Sequence, residues 1–152
     1  MSMRLAYWNA APDAVKAMQA VSAYLAKSEL GKKLVDLIYL RVSQVNGCAY
    51  CCDMHSADLR KLGETDQRLD CLAGWRDAPF FSERERAALG WAEALTHVST
   101  THAPDAEYAA ARAQITDKEL ADLTFAVAQI NSWNRLSIGF RAEPAARKAR
   151  AA

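Results

Sequence analysis

The sequence predicts an all-α, single-domain helical bundle, and three observations carry that reading. Strand signals are nearly absent. Long stretches rich in Ala, Leu, Glu, Arg and Lys repeat their apolar residues every three or four positions. A length of 152 residues suits one hydrophobic core. At that size about 70% of the unfolded chain's surface is buried on folding, so neither a disulfide framework nor a structural metal is needed for stability. A cysteine cluster in such a chain calls for another explanation.

Pro12 and Asp13 suit the first turn of a helix whose face carries Val15, Met18, Val21 and Leu25. Leu34, Leu37, Ile38, Arg41 and Val45 continue a helical row from about Leu30 to Gln44, and Asn46-Gly47 ends it as a turn dipeptide. A third helix runs from about Cys48 to Leu62, with Gly63 as its C-terminal stop. A short helix follows from Thr65 to Ala73 and ends at Gly74, before the loop Asp77-Ala78-Pro79. Ser82 with Glu85 forms a capping box that opens a helix to about His97. Pro104-Asp105 starts another short helix. Thr116 with Glu119 repeats the box ahead of a long apolar helix through Leu123, Val127, Ile130 and Trp133. Residues 142–152 mix Ala with basic residues at weak period and read as a frayed tail, leaving 1–141 as the folded unit.

Charge narrows the function classes. With 19 Lys and Arg against 18 Asp and Glu, the net charge of +1 provides no basic surface for nucleic acid. No apolar run approaches the roughly 20 residues that cross a bilayer, and Met1-Ser2-Met3-Arg4-Leu5 lacks the apolar stretch of a signal peptide. A cytoplasmic location is the expectation. In that reducing compartment Cys48, Cys51, Cys52 and Cys71 read as catalytic or metal-binding rather than as permanent disulfides.

The informative segment is Ser43-Gln44-Val45-Asn46-Gly47-Cys48-Ala49-Tyr50-Cys51-Cys52-Asp53-Met54-His55. If a helix opens at Cys48, the unpaired N–H groups and the dipole of its first turn favour thiolate there. At about 100° per residue, Cys48, Cys51, Cys52 and His55 share one helix face. Cys48 and Cys51 lie one turn apart and are able to bridge reversibly. His55 stands four residues after Cys51, where an imidazole reaches a thiol proton. Such a thiolate attacks the O–O bond of a peroxide, becomes a sulfenic acid, and condenses with its neighbour to a disulfide. The helix start favours ionising Cys48 and the His55 spacing favours Cys51; Cys51 is the expected nucleophile, because direct contact with a base supplies the proton acceptor that a dipole does not. Zinc is the rival use of Cys48, Cys51, Cys52 and His55, but a closed site draws ligands from two clusters and no second cluster is present.

Other residues have plainer readings. Cys71 sits in the apolar pattern Leu69-Asp70-Cys71-Leu72-Ala73 and reads as core, as do Trp75, Trp91 and Trp133. His97 and His102 flank a Ser/Thr-rich loop and read as solvated or capping. Glu83-Arg84-Glu85-Arg86 alternates sign like a solvated face. Asn134 and Arg135 either pin an interface or support the site from behind.

The cysteine segment resembles the alkyl hydroperoxidase D-like branch of the carboxymuconolactone decarboxylase family. The likeness includes Arg4-Leu5, Leu40-Arg41-Val42-Ser43-Gln44-Val45-Asn46-Gly47-Cys48-Ala49-Tyr50-Cys51, Arg68-Leu69, Trp75-Arg76, Glu83-Arg84-Glu85-Arg86-Ala87-Ala88-Leu89 and Ile130-Asn131-Ser132-Trp133-Asn134-Arg135, over roughly positions 4–141. Cys-x-x-Cys-x-x-x-His marks the peroxidase branch, whereas the decarboxylase branch lacks the cysteine pair.

The resemblance implies an all-helical fold that assembles as a homotrimer or a hexamer of two trimers, with the redox site near a subunit interface. It implies a cofactor-free peroxidase acting on hydrogen peroxide or organic hydroperoxides, with the disulfide reopened by a lipoyl-bearing protein or another dithiol. By position, Cys51 matches the attacking cysteine, Cys48 the resolving cysteine and His55 the relay histidine. The family pattern has a Glu where Asp36 stands, twelve residues before Cys48. Asp36 is one methylene shorter, so the relay runs through an added water or is weakened. On spacing alone, beside Lys32 and Lys33, Asp36 reads as a surface ion-pair partner. Tyr50 replaces a family His, and Cys52, at a usually aliphatic position, is a packing residue or an alternative disulfide partner. The other functions compatible with these residues are a dithiol sensor or binding protein without turnover and a decarboxylase-like enzyme.

Overall fold

The computed structural model describes residues 2–146, and among them no strand occurs. Residues 147–152 of the tail read as frayed lie outside the described residues, and 142–146 carry no helix. In chain order the helices are α1 (Tyr7–Ala10), α2 (Pro12–Leu25), α3 (Lys32–Asn46), α4 (Ala49–Lys61) and α5 (Asp66–Asp70). After a 3-10 turn at Leu72–Gly74 come α6 (Glu83–Thr96), α7 (Val98–Thr101), α8 (Asp105–Gln114) and α9 (Asp117–Phe140).

The core organises around α3, whose row Leu34, Val35, Leu37, Ile38, Leu40 and Val42 is buried. Such a helix cannot face water on one side, and it packs against α4, α6 and α9. Leu37 and Ile38 are fully buried, each contributing on the order of 2 kcal/mol by removal from water. The long α9 closes the other side through Leu120, Leu123, Val127 and Ile130.

Both capping boxes form as the sequence predicts. Ser82 accepts from the Glu85 amide while the Glu85 carboxylate accepts from the Ser82 amide, and Thr116 and Glu119 do the same for α9. The run Glu83-Arg84-Glu85-Arg86 departs from the solvated-face reading. Arg84 binds Glu119 at 2.7 Å, Glu85 binds Arg68 at 2.6 Å, and Arg86 donates to the carbonyls of Trp75, Arg76 and Ala78. Arg86 thus ties the irregular 71–81 segment to α6, while Arg84 joins α6 to α9 and Glu85 joins it to α5. The helix expected over Thr65–Ala73 breaks at Cys71 into α5 and the 3-10 turn. The four-residue turns α1 and α7 are too short to carry a readable period.

The α3–α4 junction sets the site. Gly47 adopts φ +71, the left-handed conformation that glycine enters without a Cβ clash. The amide of Gly47 donates to Gln44 and that of Cys48 to Ser43, so α3 stops within one residue and Cys48 becomes the N-cap of α4. Among the described residues, no helix is long and apolar enough to cross a membrane.

Candidate active site

Cys48 sits just before the first turn of α4, and the Cys51 amide donates to its sulfur at 3.4 Å. One turn on, Cys51 points back at it, with the two sulfurs 2.6 Å apart as free thiols. Each residue is 1% exposed. Cys52 and Cys71 are half-buried and pack on the rim of the core.

The cysteine pair is embedded in polar groups from α3 and α9. Asn46 donates to Asn131 at 2.9 Å and to Asn134 at 2.8 Å, and Asn134 donates to Ser43 at 3.0 Å. The Ser137 hydroxyl lies 3.8 Å from the Cys51 sulfur. The Cys48 thiol, as donor to Cys51, is the largest influence holding the Cys51 thiol below its ordinary range; burial opposes it, and Asn134, Ser137 and Ser43 add to it. The same contact, together with burial, pushes Cys48 upward. The helix dipole that the sequence places on Cys48 is thus outweighed by short-range donors gathered on Cys51.

His55 is buried one turn beyond Cys51, and burial lowers its pKa to about 4, so the imidazole is neutral near pH 7. The Asp58 charge opposes that shift and Lys32 adds to it. His55 Nδ1 has no hydrogen-bond partner among the described residues and lies 3.9 Å from Oδ1 of Asp36. Asp36 is not the surface residue that its lysine neighbours suggest: it is buried on the α4-facing side of α3 while its other oxygen accepts from Lys32. Burial raises its pKa, against the hydrogen bond and charge of Lys32. The ring of Tyr39, one turn along α3, packs on His55 at a centroid distance of 5.0 Å, and its buried hydroxyl also lacks a partner.

Cys51 and His55 open onto a cavity of about 390 Å³ bordered by Tyr7, Trp8, Tyr39 and Trp133. The chain start roofs it, because the Arg4 amide and guanidinium donate to the carbonyls of Phe140 and Gly139 and bring α1 over the end of α9. Gln129 donates to the Met18 carbonyl at 2.7 Å and Trp133 to Ser22 at 3.4 Å, holding α2 alongside. Trp133 therefore lines the cavity as well as filling volume, and Tyr50 stands at its edge. His97 and His102 are exposed and stand at the C-terminal ends of α6 and α7. Among the described residues, no group of three or more His, Cys, Asp and Glu is arranged to hold a metal ion.

The structure thus brings Cys48, Cys51, His55 and Asp36 together, and adds Ser43, Tyr39, Ser137 and Tyr7, which sequence reasoning does not single out. A signal for part of this set is present. Asp36, Tyr39, Ser43 and Asn46 recur at three- and four-residue spacing as one polar stripe on α3.

The chain is similar to known proteins in sequence and fold. Residues 12–94 match the carboxymuconolactone decarboxylase family. The chain is 42% identical to the uncharacterized protein YdfG of Bacillus subtilis (strain 168) over 138 residues, 91% of this chain and 94% of that one. Its fold superposes with a TM-score of 0.93 and 39% identity on a protein of unknown function from Agrobacterium tumefaciens, named a candidate antioxidant defence protein AhpD, covering 96% of this chain and all of that one. An uncharacterized peroxidase-related protein from Ralstonia eutropha JMP134, with an alkylhydroperoxidase AhpD core, matches at a TM-score of 0.80 and 25% identity, over 91% of this chain and 74% of that one. The debrominase Bmp8 shares the fold at a TM-score of 0.77 and 18% identity, over 89% of this chain and 73% of that one. The extent of the family match and the nearly full-length likeness in sequence and fold make the chain an alkyl hydroperoxidase D-like member of the carboxymuconolactone decarboxylase family.

Proposed function

We propose that the protein is a thiol-dependent peroxidase that reduces hydrogen peroxide or organic hydroperoxides through a Cys48/Cys51 disulfide cycle. The observation that carries this reading is the pair of free sulfurs 2.6 Å apart with one of them, Cys51, on a cavity shared with a neutral buried histidine. In the first step the Cys51 thiolate attacks one peroxide oxygen. The O–O bond breaks, Cys51 becomes a sulfenic acid, and the departing oxygen leaves as alcohol or water with the proton given up by the Cys51 thiol, relayed by His55 on the same cavity. In the second step the Cys48 sulfur attacks the Cys51 sulfenic sulfur. Its proton goes to the departing hydroxide, which leaves as water. A disulfide of about 2.05 Å is within reach of side-chain adjustment alone.

The order of attack follows from the donors collected on Cys51, which favour its thiolate, while Cys48 keeps its proton until it resolves the sulfenic acid. Asp36 acts on His55 by orientation. The aromatic lining of the cavity suits the organic part of a hydroperoxide. A dithiol or a lipoyl-bearing protein reopens the disulfide in this scheme, in a cytoplasmic homotrimer or hexamer. Exposed Tyr24, Tyr108 and Phe125 supply apolar area for such an assembly.

The test is to treat reduced protein with substoichiometric peroxide and map the products. One Cys48–Cys51 disulfide is expected. Cys51→Ser abolishes peroxide consumption, and Cys48→Ser accumulates a trappable sulfenic acid on Cys51. Absence of peroxide consumption by the unaltered protein, or a Cys51 bond to Cys52 or Cys71, overturns the cycle.

A further inference from the structure

The two sulfurs of the cysteine pair face different openings. Cys51 borders the aromatic cavity of about 390 Å³, and Cys48 does not. Cys48 instead borders a broader cleft of about 720 Å³ between the α3–α4 turn and the end of α9, with Gly47, Ile138 and Arg141. Tyr50 and Ser137 border both and form the wall between them.

We propose that the cleft at Cys48 is the site where a dithiol reductant attacks the oxidised pair, so that peroxide and reductant reach the cysteines through separate openings. This rests on the Cys48/Cys51 cycle proposed above. Thiol–disulfide exchange needs the attacking sulfur in line with the S–S bond, beyond the sulfur it attacks, so access to each sulfur is decided by the opening behind it. The cleft gives that approach to Cys48, whereas the approach to Cys51 runs through a cavity walled by Trp8, Tyr39 and Trp133.

Leaving-group chemistry selects the same direction. When Cys48 is attacked, Cys51 departs as a thiolate, and Asn134, Ser137 and Ser43 are already placed to donate to it. A sulfur stabilised as thiolate leaves faster. Attack on Cys51 makes Cys48 the leaving group, with the Cys51 amide at 3.4 Å as its donor and burial against its charge. In the productive direction one thiolate of the dithiol bonds to the Cys48 sulfur, the S–S bond breaks, and its electron pair stays on Cys51. The second thiol of the reductant then displaces Cys48. The reductant leaves as its own disulfide, and Cys48 keeps the proton that the second thiol gives up.

The experiment separates the two half-reactions. The protein is oxidised with diamide, so no peroxide turnover is required, and reduction by dithiothreitol is followed by stopped flow. Oxidation of the reduced protein by cumene hydroperoxide is followed separately. Ile138 is 46% exposed on the cleft and Met54 is 40% exposed on the cavity, so both accept a larger side chain without disturbing the core. Ile138→Trp is expected to slow reduction at least tenfold relative to the peroxide step, and Met54→Trp to shift that ratio the other way. In unaltered protein, attack by the monothiol 2-mercaptoethanol with immediate alkylation of the freed thiol should leave the mixed disulfide on Cys48 and the label on Cys51. A mixed disulfide on Cys51, or an Ile138→Trp protein reduced at the original rate, overturns the proposal. Failure of the unaltered protein to consume peroxide sinks the peroxidase reading separately, since the diamide arm does not depend on it.

Discussion

His55 Nδ1 and Asp36 Oδ1 stand 3.9 Å apart in a buried pocket between α3 and α4, about 1 Å too far for a hydrogen bond. Lengthening the carboxylate by one methylene spans that gap. Asp36→Glu is therefore expected to hold or raise peroxidase activity, because orientation errors near 1 Å cost up to about 10²-fold in rate. Asp36→Asn leaves Lys32 uncompensated beside the imidazole and is expected to slow disulfide formation about tenfold. Single-turnover rates of disulfide formation in the three proteins check this. Superimposable traces with the fold intact reduce Asp36 to a structural partner of Lys32.

Burial of His55 makes stability depend on pH. Its folded pKa of about 4 lies below the ordinary value of 6.5, so between those values the unfolded chain binds more protons. Stability therefore falls as pH drops from about 6.5 to about 4, by up to about 3 kcal/mol from this residue. Asp36 works in the opposite sense, since its raised pKa makes the folded state bind the extra proton just above pH 3.8. Glu119, held at about 2 chiefly by Arg84, acts in a lower window, from about 4.5 to about 2. Urea midpoints at pH 7, 5.5 and 4.5 should decline in the unaltered protein and flatten in His55→Gln. Parallel declines would show that another group carries the dependence.

Ser137 reaches Cys51 from the far end of α9, at 3.8 Å. A hydrogen bond to a charged group is worth about 1.5 to 3 kcal/mol, or one to two pH units. Ser137→Ala should move the midpoint of Cys51 alkylation upward by about one unit. An unchanged midpoint would leave Cys48 and Asn134 as sufficient donors.

Tyr39 has a buried hydroxyl without a partner among the described residues. Removing an unsatisfied polar atom without changing shape is neutral or stabilising by about 1 kcal/mol. Tyr39→Phe should thus melt at the same temperature or a few degrees higher, while Tyr39→Ala loses the ring packed on His55 and about 3 to 5 kcal/mol. A clear drop in the Phe variant's melting temperature would mean that the hydroxyl is satisfied in the folded protein.

Much of the helical order was readable from local chemistry. Capping boxes act within three residues and the apolar period within one or two turns, so α6 and α9 begin where Ser82 and Thr116 place them. The four-residue turns α1 and α7 and the break at Cys71 depend on contacts outside their own windows, and Arg86 and Arg84 of α6 look solvated until the 71–81 segment and α9 are folded onto them.

Local spacing carries the helical class and the closeness of Cys48 to Cys51 and of Cys51 to His55, because each of these pairs lies about one turn apart along α4. Tertiary structure added to the local Cys48 contact the other donors that favour the Cys51 thiolate. These are Ser43 on α3 and Asn134 and Ser137 on α9, the last two more than 80 positions along the chain, and spacing carries no record of groups that meet only when the core closes. It likewise decided that Asp36 is buried rather than exposed. A helical period assigns a face, but the neighbour that covers this one is α4, and burial there pushes the Asp36 carboxyl upward against the hydrogen bond and charge of Lys32.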